Sequence, residues 1–472
     1  MDWAQLSEAP RVVTHGEEFE SRRRVFNADV DISPAAFIDC HEVGDVQRAV
    51  NYCREAGVAL STKGAGHNLS GSALIKGGVV LDLSPMKRLE LDPDGRRVTV
   101  SGPVLVGELV ELLRGGDRFL PVGNTDAVGL TGLTIVGGLP NQARAFGLTC
   151  SHLVSAELVD ARGRLLRLDA SDESGLFWAL KGAGDQLGVV TELVFELVPL
   201  PEHVLYGFLF FPLARARELL TKYFRLCAGA RFSEAMIYGV LMLDCLAVDD
   251  EFMADVGVAL RRDTGCSDAF IVPFAHYGGA LGAAQAEYLE LRATLGEPYF
   301  EFMTVGSHWD FHELLRDKQT ARRGCDARTR LVDAGVDAES LADALVSSYE
   351  RSPIEDFVID CFILGGALSR TPADACSFPH LAAANGVSLL GRWGLEDPRR
   401  SAFRQFLEER DRELRPHTMG AYYGIPNPSV TDPRAYFGAN YERLAALKRE
   451  HDPSGLFRKD VPGYRLAPAR GR

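Results

Sequence analysis

Lys63-Gly64-Ala65-Gly66-His67-Asn68 and Lys181-Gly182-Ala183-Gly184 are near copies within one chain. Glycines at this spacing leave main-chain N–H groups bare, free to converge on phosphate oxygens with no side chain in the way. A dinucleotide is the ligand such loops suggest. Neither loop is a Rossmann fingerprint, which runs strand, G-x-G-x-x-G, helix. The first follows a strand predicted over 58–62 but leads through Asn68-Leu69-Ser70-Gly71-Ser72 into another strand. The second has a helix before it (176–181) and a strand after it (189–197), and its Gly188 falls one place late. The chain contains no Walker A and no Gly-x-Ser-x-Gly motif, so P-loop and hydrolase-elbow chemistry are unsupported.

Working outward, Val46, Ala49, Val50 and Cys53 recur at helical spacing, with Asp45 as N-cap and Gly57 as stop. Strands are predicted over 78–83 and 97–101, a helix over 106–113, then a glycine-rich stretch over 120–147. A hairpin over 157–169 turns at Ala161-Arg162-Gly163. Pro199 and Pro201 mark a boundary. Beyond it, helices (214–227, 341–349, 402–414) alternate with strands (236–246, 357–364), which suggests a second α/β domain. A helix over 440–450 ends at Asp452-Pro453, and the tail after it is too short to fold alone.

The 472 residues suffice for two or three domains, and 25% charged with 46% apolar residues is ordinary globular composition. The net charge, 51 − 65 = −14, disfavours nucleic acid and anionic membranes. Arg22-Arg23-Arg24 is offset by Glu17, Glu18 and Glu20. Nine scattered cysteines without a CxxC pair read as reduced thiols. The leading residues lack a signal-peptide apolar core, and no apolar run reaches about 18 residues. A cytoplasmic protein is expected.

Taken with Gly77 to Ser84, Gly132-Leu133-Thr134 through Gly137-Gly138, Arg144 to Cys150 and Leu176 to Gly182, the first loop resembles the FAD-linked oxidases of the berberine bridge enzyme and 6-hydroxy-D-nicotine oxidase type, in the vanillyl-alcohol oxidase superfamily. Tyr436 to Leu444, Lys448 and Asp452-Pro453 to Phe457 resemble that family's closing segment. The resemblance implies an α+β fold with three parts. They are a two-part PCMH-type FAD domain (1–202), a substrate domain whose sheet covers the flavin (203–425), and a berberine-type segment (426–472) packing back on the first.

It further implies FAD held by Lys63, Gly64, Ala65, Gly66, His67, Asn68 and Gly71. Thr125, Val128, Gly129, Thr131 and Gly132 continue the site, followed by Gly137, Gly138, Gly147 and Leu148, then Gly188, Val189 and Val190. His67 stands where relatives bond the flavin C8 methyl. Thr125 stands where some carry a second, cysteinyl bond, so one covalent bond is expected, and Cys150 reads as core packing. Lys63 replaces an arginine at the diphosphate. Val136 and Pro140 replace glycines, and Asp185-Gln186-Leu187 departs from the family pattern.

Substrate oxidation needs a base for the O–H or N–H proton while hydride leaves for flavin N5. Tyr422-Tyr423-Gly424-Ile425 keeps only the first tyrosine of the relatives' Tyr-x-Asn-Tyr. Asp360, on an apolar strand, is the leading candidate base; Tyr422, Tyr423 and His380 follow. His308 and His312, at i and i+4, lack the glutamate of H-E-x-x-H and a third ligand. They read as an aromatic turn lining a pocket or facing solvent, and no metal is expected. Three functions stay open: a flavin oxidoreductase acting on a small organic substrate with O2 as acceptor, a non-redox cyclase retaining FAD, and a flavin-free binding protein. The chain is expected as a monomer or homodimer.

Overall fold

The computed structural model describes residues 10–229, 231–248, 250–317, 322–459 and 464–466. The leading nine residues, part of the segment read for targeting, lie outside the described residues, as does most of the tail after 459. Val79–Asp82, apolar enough to be buried on both faces, forms the middle of a four-stranded sheet. Its strands are β1 (Val12–Val13), β2 (Ala36–Asp39), β3 (Leu60–Lys63) and β4 (Val79–Asp82), ordered β1-β2-β4-β3. β4 runs parallel to β2 and β3, and the helix Val43–Ala56 makes the crossover between those two. That helix starts earlier than its periodicity predicts. Glu42 is the N-cap, while Asp45 reaches back to accept from the main-chain N–H of His41 at 2.8 Å.

The next strands are β5 (Arg88–Leu91), β6 (Arg97–Ser101), β7 (Arg118–Phe119), β8 (Leu153–Val159), β9 (Leu165–Asp169), β10 (Val189–Glu196) and β11 (Val198–Pro199). Five pair antiparallel in the order β5-β6-β10-β8-β9, and β7 pairs with β11. The hairpin predicted from alternation is the β8–β9 pair.

The third sheet contains β12 (Val204–Pro212), β13 (Met236–Asp244), β14 (Asp268–Tyr277), β15 (Phe300–Gly306), β16 (Gly324–Val332), β17 (Asp356–Ile363), β18 (Asn385–Trp393) and β19 (Gly420–Ala421), ordered β15-β12-β14-β13-β17-β18-β16-β19. Every pairing in it is antiparallel, although helices intervene between its strands. The helix-strand alternation here therefore does not signal parallel βαβ units. The helices Ala216–Ala228, Ala338–Glu350 and Arg400–Leu414 share one apolar core with the face of this sheet that carries Phe357, Ile359 and Cys361.

Because side chains alternate along a strand, the intervening Val358, Asp360 and Phe362 of β17 face the other way, into a cavity. β18 contributes Ser388, Leu390 and Arg392 to that wall, and β16 contributes Cys325, Ala327 and Thr329. Cross-strand register sorts them into rows: Leu241–Asp360–Ser388–Thr329, then Val358–Leu390–Ala327, then Arg392 beside Cys325.

The end of the described chain closes the opposite wall. Leu60 donates its main-chain N–H to Leu456 at 2.9 Å, and Phe457 bridges to Leu60. Lys448 Nζ, at the end of the helix Tyr441–His451, donates to the carbonyls of Gln186 and Phe457, both at 2.6 Å, and to Asp452 at 2.7 Å. One buried ammonium thus fixes the tail against the second glycine loop.

Candidate active site

The third sheet, the first glycine loop and the residues Asp185, Gly188 and Val190 that follow the second enclose a cavity of about 600 Å³, large enough for an extended ligand; Gly182 and Gly184 of the second loop pack against Phe378 and Leu180 instead. Gly64, Ala65, Gly66, His67 and Asn68 form one wall. Thr125, Val128, Gly129, Thr131 and Gly132 form a second, with Gly188 and Val190 between strands. A Cβ on Gly129 would come 3.1 Å from that of Ala65, so a side chain here would press on the first loop. Val136 and Pro140 line the cavity without closing it.

His67 is stacked on Phe26, with ring centroids 3.8 Å apart and planes 23° from parallel. Burial lowers its pKa to about 4, partly opposed by the Asp317 charge. The ring is therefore neutral at physiological pH, and its Nε2 is buried with no hydrogen-bond partner. A neutral imidazole with an unpartnered Nε2 at a cavity wall has the character of a nucleophile or ligand.

Several residues expected at the cofactor are placed elsewhere. Lys63 turns away and donates to the Arg22 carbonyl at 2.7 Å, so it does not neutralise a ligand in the cavity. Gly71 sits in a tight turn where a Cβ would run into Val30. Gly137 and Gly138 are packing glycines, against Phe378 and Thr149 respectively. Gly147 ends the short helix Ala143–Phe146, and Leu148 is fully buried with Cys150, Phe378 and Tyr422. Val189 points into the core behind the sheet, because alternation gives Val190 the cavity side.

The candidate bases separate as sharply. Asp360 faces the cavity among Leu241, Val358 and Phe362, and burial alone raises its carboxyl to about 7. Tyr422 also lines the cavity, but burial pushes its phenol further above the ordinary value, which disqualifies it as a base near neutral pH. Tyr423 is structural. Its hydroxyl donates to Asp185 at 2.6 Å and accepts from Gln186 at 2.8 Å, and its ring packs on Tyr436, Phe437 and Tyr464. His380 lies behind this group, buried and held neutral with a pKa of about 4.

His308 and His312 neither face solvent nor line the large cavity. Both are buried with Trp309 against the helix Val106–Leu113, around a void of about 10 Å³ that Gln142 also borders. The Tyr277 hydroxyl lies 3.2 Å from His308 Nδ1. Apolar contact with the helix, not ligation, explains the spacing.

Sequence reasoning missed Asp317, Ser388, Thr329 and Arg392. Asp317 reaches the cavity through an isolated bridge to Thr125. Ser388 and Thr329 share a 2.8 Å hydrogen bond beside Asp360, and Arg392 pairs with Asp356 at 3.2 Å. Strands β16 and β18 are polar enough at alternate positions to be read as half-buried, but no local motif says which side their polar groups face.

The neutral His67 and the glycine-lined walls of this cavity fit a flavin dinucleotide. The family model for the FAD binding domain matches residues 34–169, and that for berberine and berberine-like proteins matches residues 421–460. The chain is an FAD-linked oxidoreductase of the berberine bridge enzyme type. It is similar to (R)-6-hydroxynicotine oxidase of Paenarthrobacter nicotinovorans, 28% identical over 450 residues that cover 92% of this chain and 91% of the relative. It is also similar to chitooligosaccharide oxidase of Gibberella zeae, 24% identical over 92% of this chain and 88% of the relative. The crystal structure of 6-hydroxy-D-nicotine oxidase from Arthrobacter nicotinovorans superposes with a TM-score of 0.79 at 25% identity, covering 97% of this chain and 98% of that one. Berberine bridge enzyme from Eschscholzia californica superposes at 0.82, covering 98% of each chain, and at 18% identity that likeness is one of fold.

Proposed function

We propose that this enzyme carries FAD on a single covalent bond to His67 and oxidises a small amine, with Asp360 as the base and dioxygen as the acceptor. Asp360 carries the reading. Among the described residues no side chain pairs with its carboxylate, and an apolar surround holds it near neutrality in pKa. An ammonium substrate supplies the missing countercharge and holds the carboxyl ionised, placed to accept the nitrogen's proton.

When bound, FAD supplies a two-electron acceptor at N5. The residues do the rest. Asp360 would take the ammonium proton, and the freed nitrogen lone pair would become the C=N bond as the hydrogen on the neighbouring carbon leaves with both electrons of its C–H bond. Dioxygen then removes two electrons and two protons as hydrogen peroxide. Leu241, Val358, Leu390 and Phe362 exclude water from that carbon, and Ser388 and Thr329 orient polar substituents. The similarity to 6-hydroxynicotine oxidase favours an amine; that to chitooligosaccharide oxidase favours an alcohol. Oxidative tailoring of a bacterial natural product in the cytoplasm fits the bacterial relative and the nine free thiols, eight of them buried.

Anaerobic mixing with panels of secondary cyclic amines and of alcohols separates the readings. Flavin absorbance should bleach with an amine and persist with alcohols. Bleaching by alcohols alone overturns the substrate class. Product formation without bleaching points to the non-redox cyclase.

A further inference from the structure

The third sheet ends in two very different edges. On one side β19, two residues long, leaves little main chain to pair with. On the other, β15 runs for seven residues, Phe300-Glu301-Phe302-Met303-Thr304-Val305-Gly306, paired on one side to β12 and, among the described residues, to nothing on the other. Natural edge strands are commonly guarded by lysine, proline, a bulge or brevity. β15 has none of these. Phe300 and Phe302 project on one face, Met303 and Val305 on the other, and Phe252 continues the first face with its ring 6.3 Å from Phe300.

We propose that β15 pairs with β15 of a second copy of this chain, antiparallel about a two-fold axis at Met303, joining two eight-stranded sheets into one. The strand is complementary to itself in that register. Phe300 falls opposite Gly306 and Phe302 opposite Thr304, so each aromatic meets a small residue, and Met303 meets its own copy. The single charge, Glu301, falls opposite Val305 and is already held by Arg292 at 2.7 Å and the Tyr288 hydroxyl at 2.9 Å. No carboxylate faces another across the axis, which matters in a chain of charge −14.

Phe252, Tyr299, Phe300, Phe302, Met303 and Val305 are 37–43% exposed. Side chains of this size present on the order of 400 Å² of apolar surface per copy at that exposure. Divided between the two faces of the strand, that is comparable to the largest apolar patch of an ordinary monomer and supplies about half of the ~800 Å² per partner that a stable dimer covers. Because each copy has one such edge, pairing stops at two.

Sedimentation of the purified holoprotein tests the proposal. At micromolar concentration it should run as a pair of 51.5 kDa chains, and the double variant Phe302→Lys/Val305→Lys should run as a monomer, its dissociation constant raised at least ~100-fold, with an unchanged flavin spectrum and substrate bleaching. Met303→Cys should cross-link to itself under mild oxidation. A wild-type monomer, a dimer that survives both lysines, or a dimer in which Met303→Cys does not cross-link overturns it.

Discussion

Asp360→Asn is expected to slow flavin reduction by the amine about 10²–10⁴-fold, the range by which a positioned general base accelerates proton transfer. The substitution keeps shape and removes the proton acceptor, so the flavin spectrum of the resting enzyme should not change. The pH dependence gives the sharper test. With a carboxyl at about 7 in the free enzyme, the active form is the anion. The second-order rate of reduction should therefore fall tenfold per unit as pH drops below about 7 and level off above it. In Asp360→Asn that acid limb should vanish. A variant that keeps either the rate or the limb removes Asp360 from the chemistry. Tyr422 is not a substitute, because burial moves its phenol away from neutrality.

His67→Ala should abolish covalent attachment completely. The native variant should stay yellow, since Gly64 to Gly66, Thr131, Gly132 and Val190 still wall the cavity. Acid precipitation should then leave all the flavin in the supernatant, whereas the parent protein keeps it in the pellet. The neutral state of His67 is what makes attachment feasible at ordinary pH: its pKa of about 4 keeps a lone pair on the ring throughout the physiological range. Flavin that still precipitates with the His67→Ala protein places the bond on another residue.

The parts of this site that are legible in the sequence are those whose signal is local. Glycine spacing at 64–66 and the apolar run at 79–82 fix a loop and a buried strand, and the helices over 106–113 and 402–414 follow from periodicity. Asp360 is legible because a carboxylate inside Phe357-Val358-Ile359-Asp360-Cys361-Phe362 breaks an apolar strand for no structural reason. What is not legible depends on register or on side-chain direction. Whether Val189 or Val190 faces the ligand turns on a single residue of alternation. Lys63 looks like a phosphate contact, but as the last residue of β3 it reaches the Arg22 carbonyl instead. Tyr423 looks like a displaced catalytic tyrosine, but its partners Asp185 and Tyr464 come from distant segments. The antiparallel pairing of the third sheet is invisible locally, because helix-strand alternation is compatible with either direction.

Mass analysis of the denatured wild-type protein tests the central claim most directly. The peptide carrying His67 should be heavier by one FAD, fluoresce as a flavin, and account for the covalent flavin of the chain. An unmodified His67 peptide from yellow protein, or a colourless protein of unaltered mass, would contradict it.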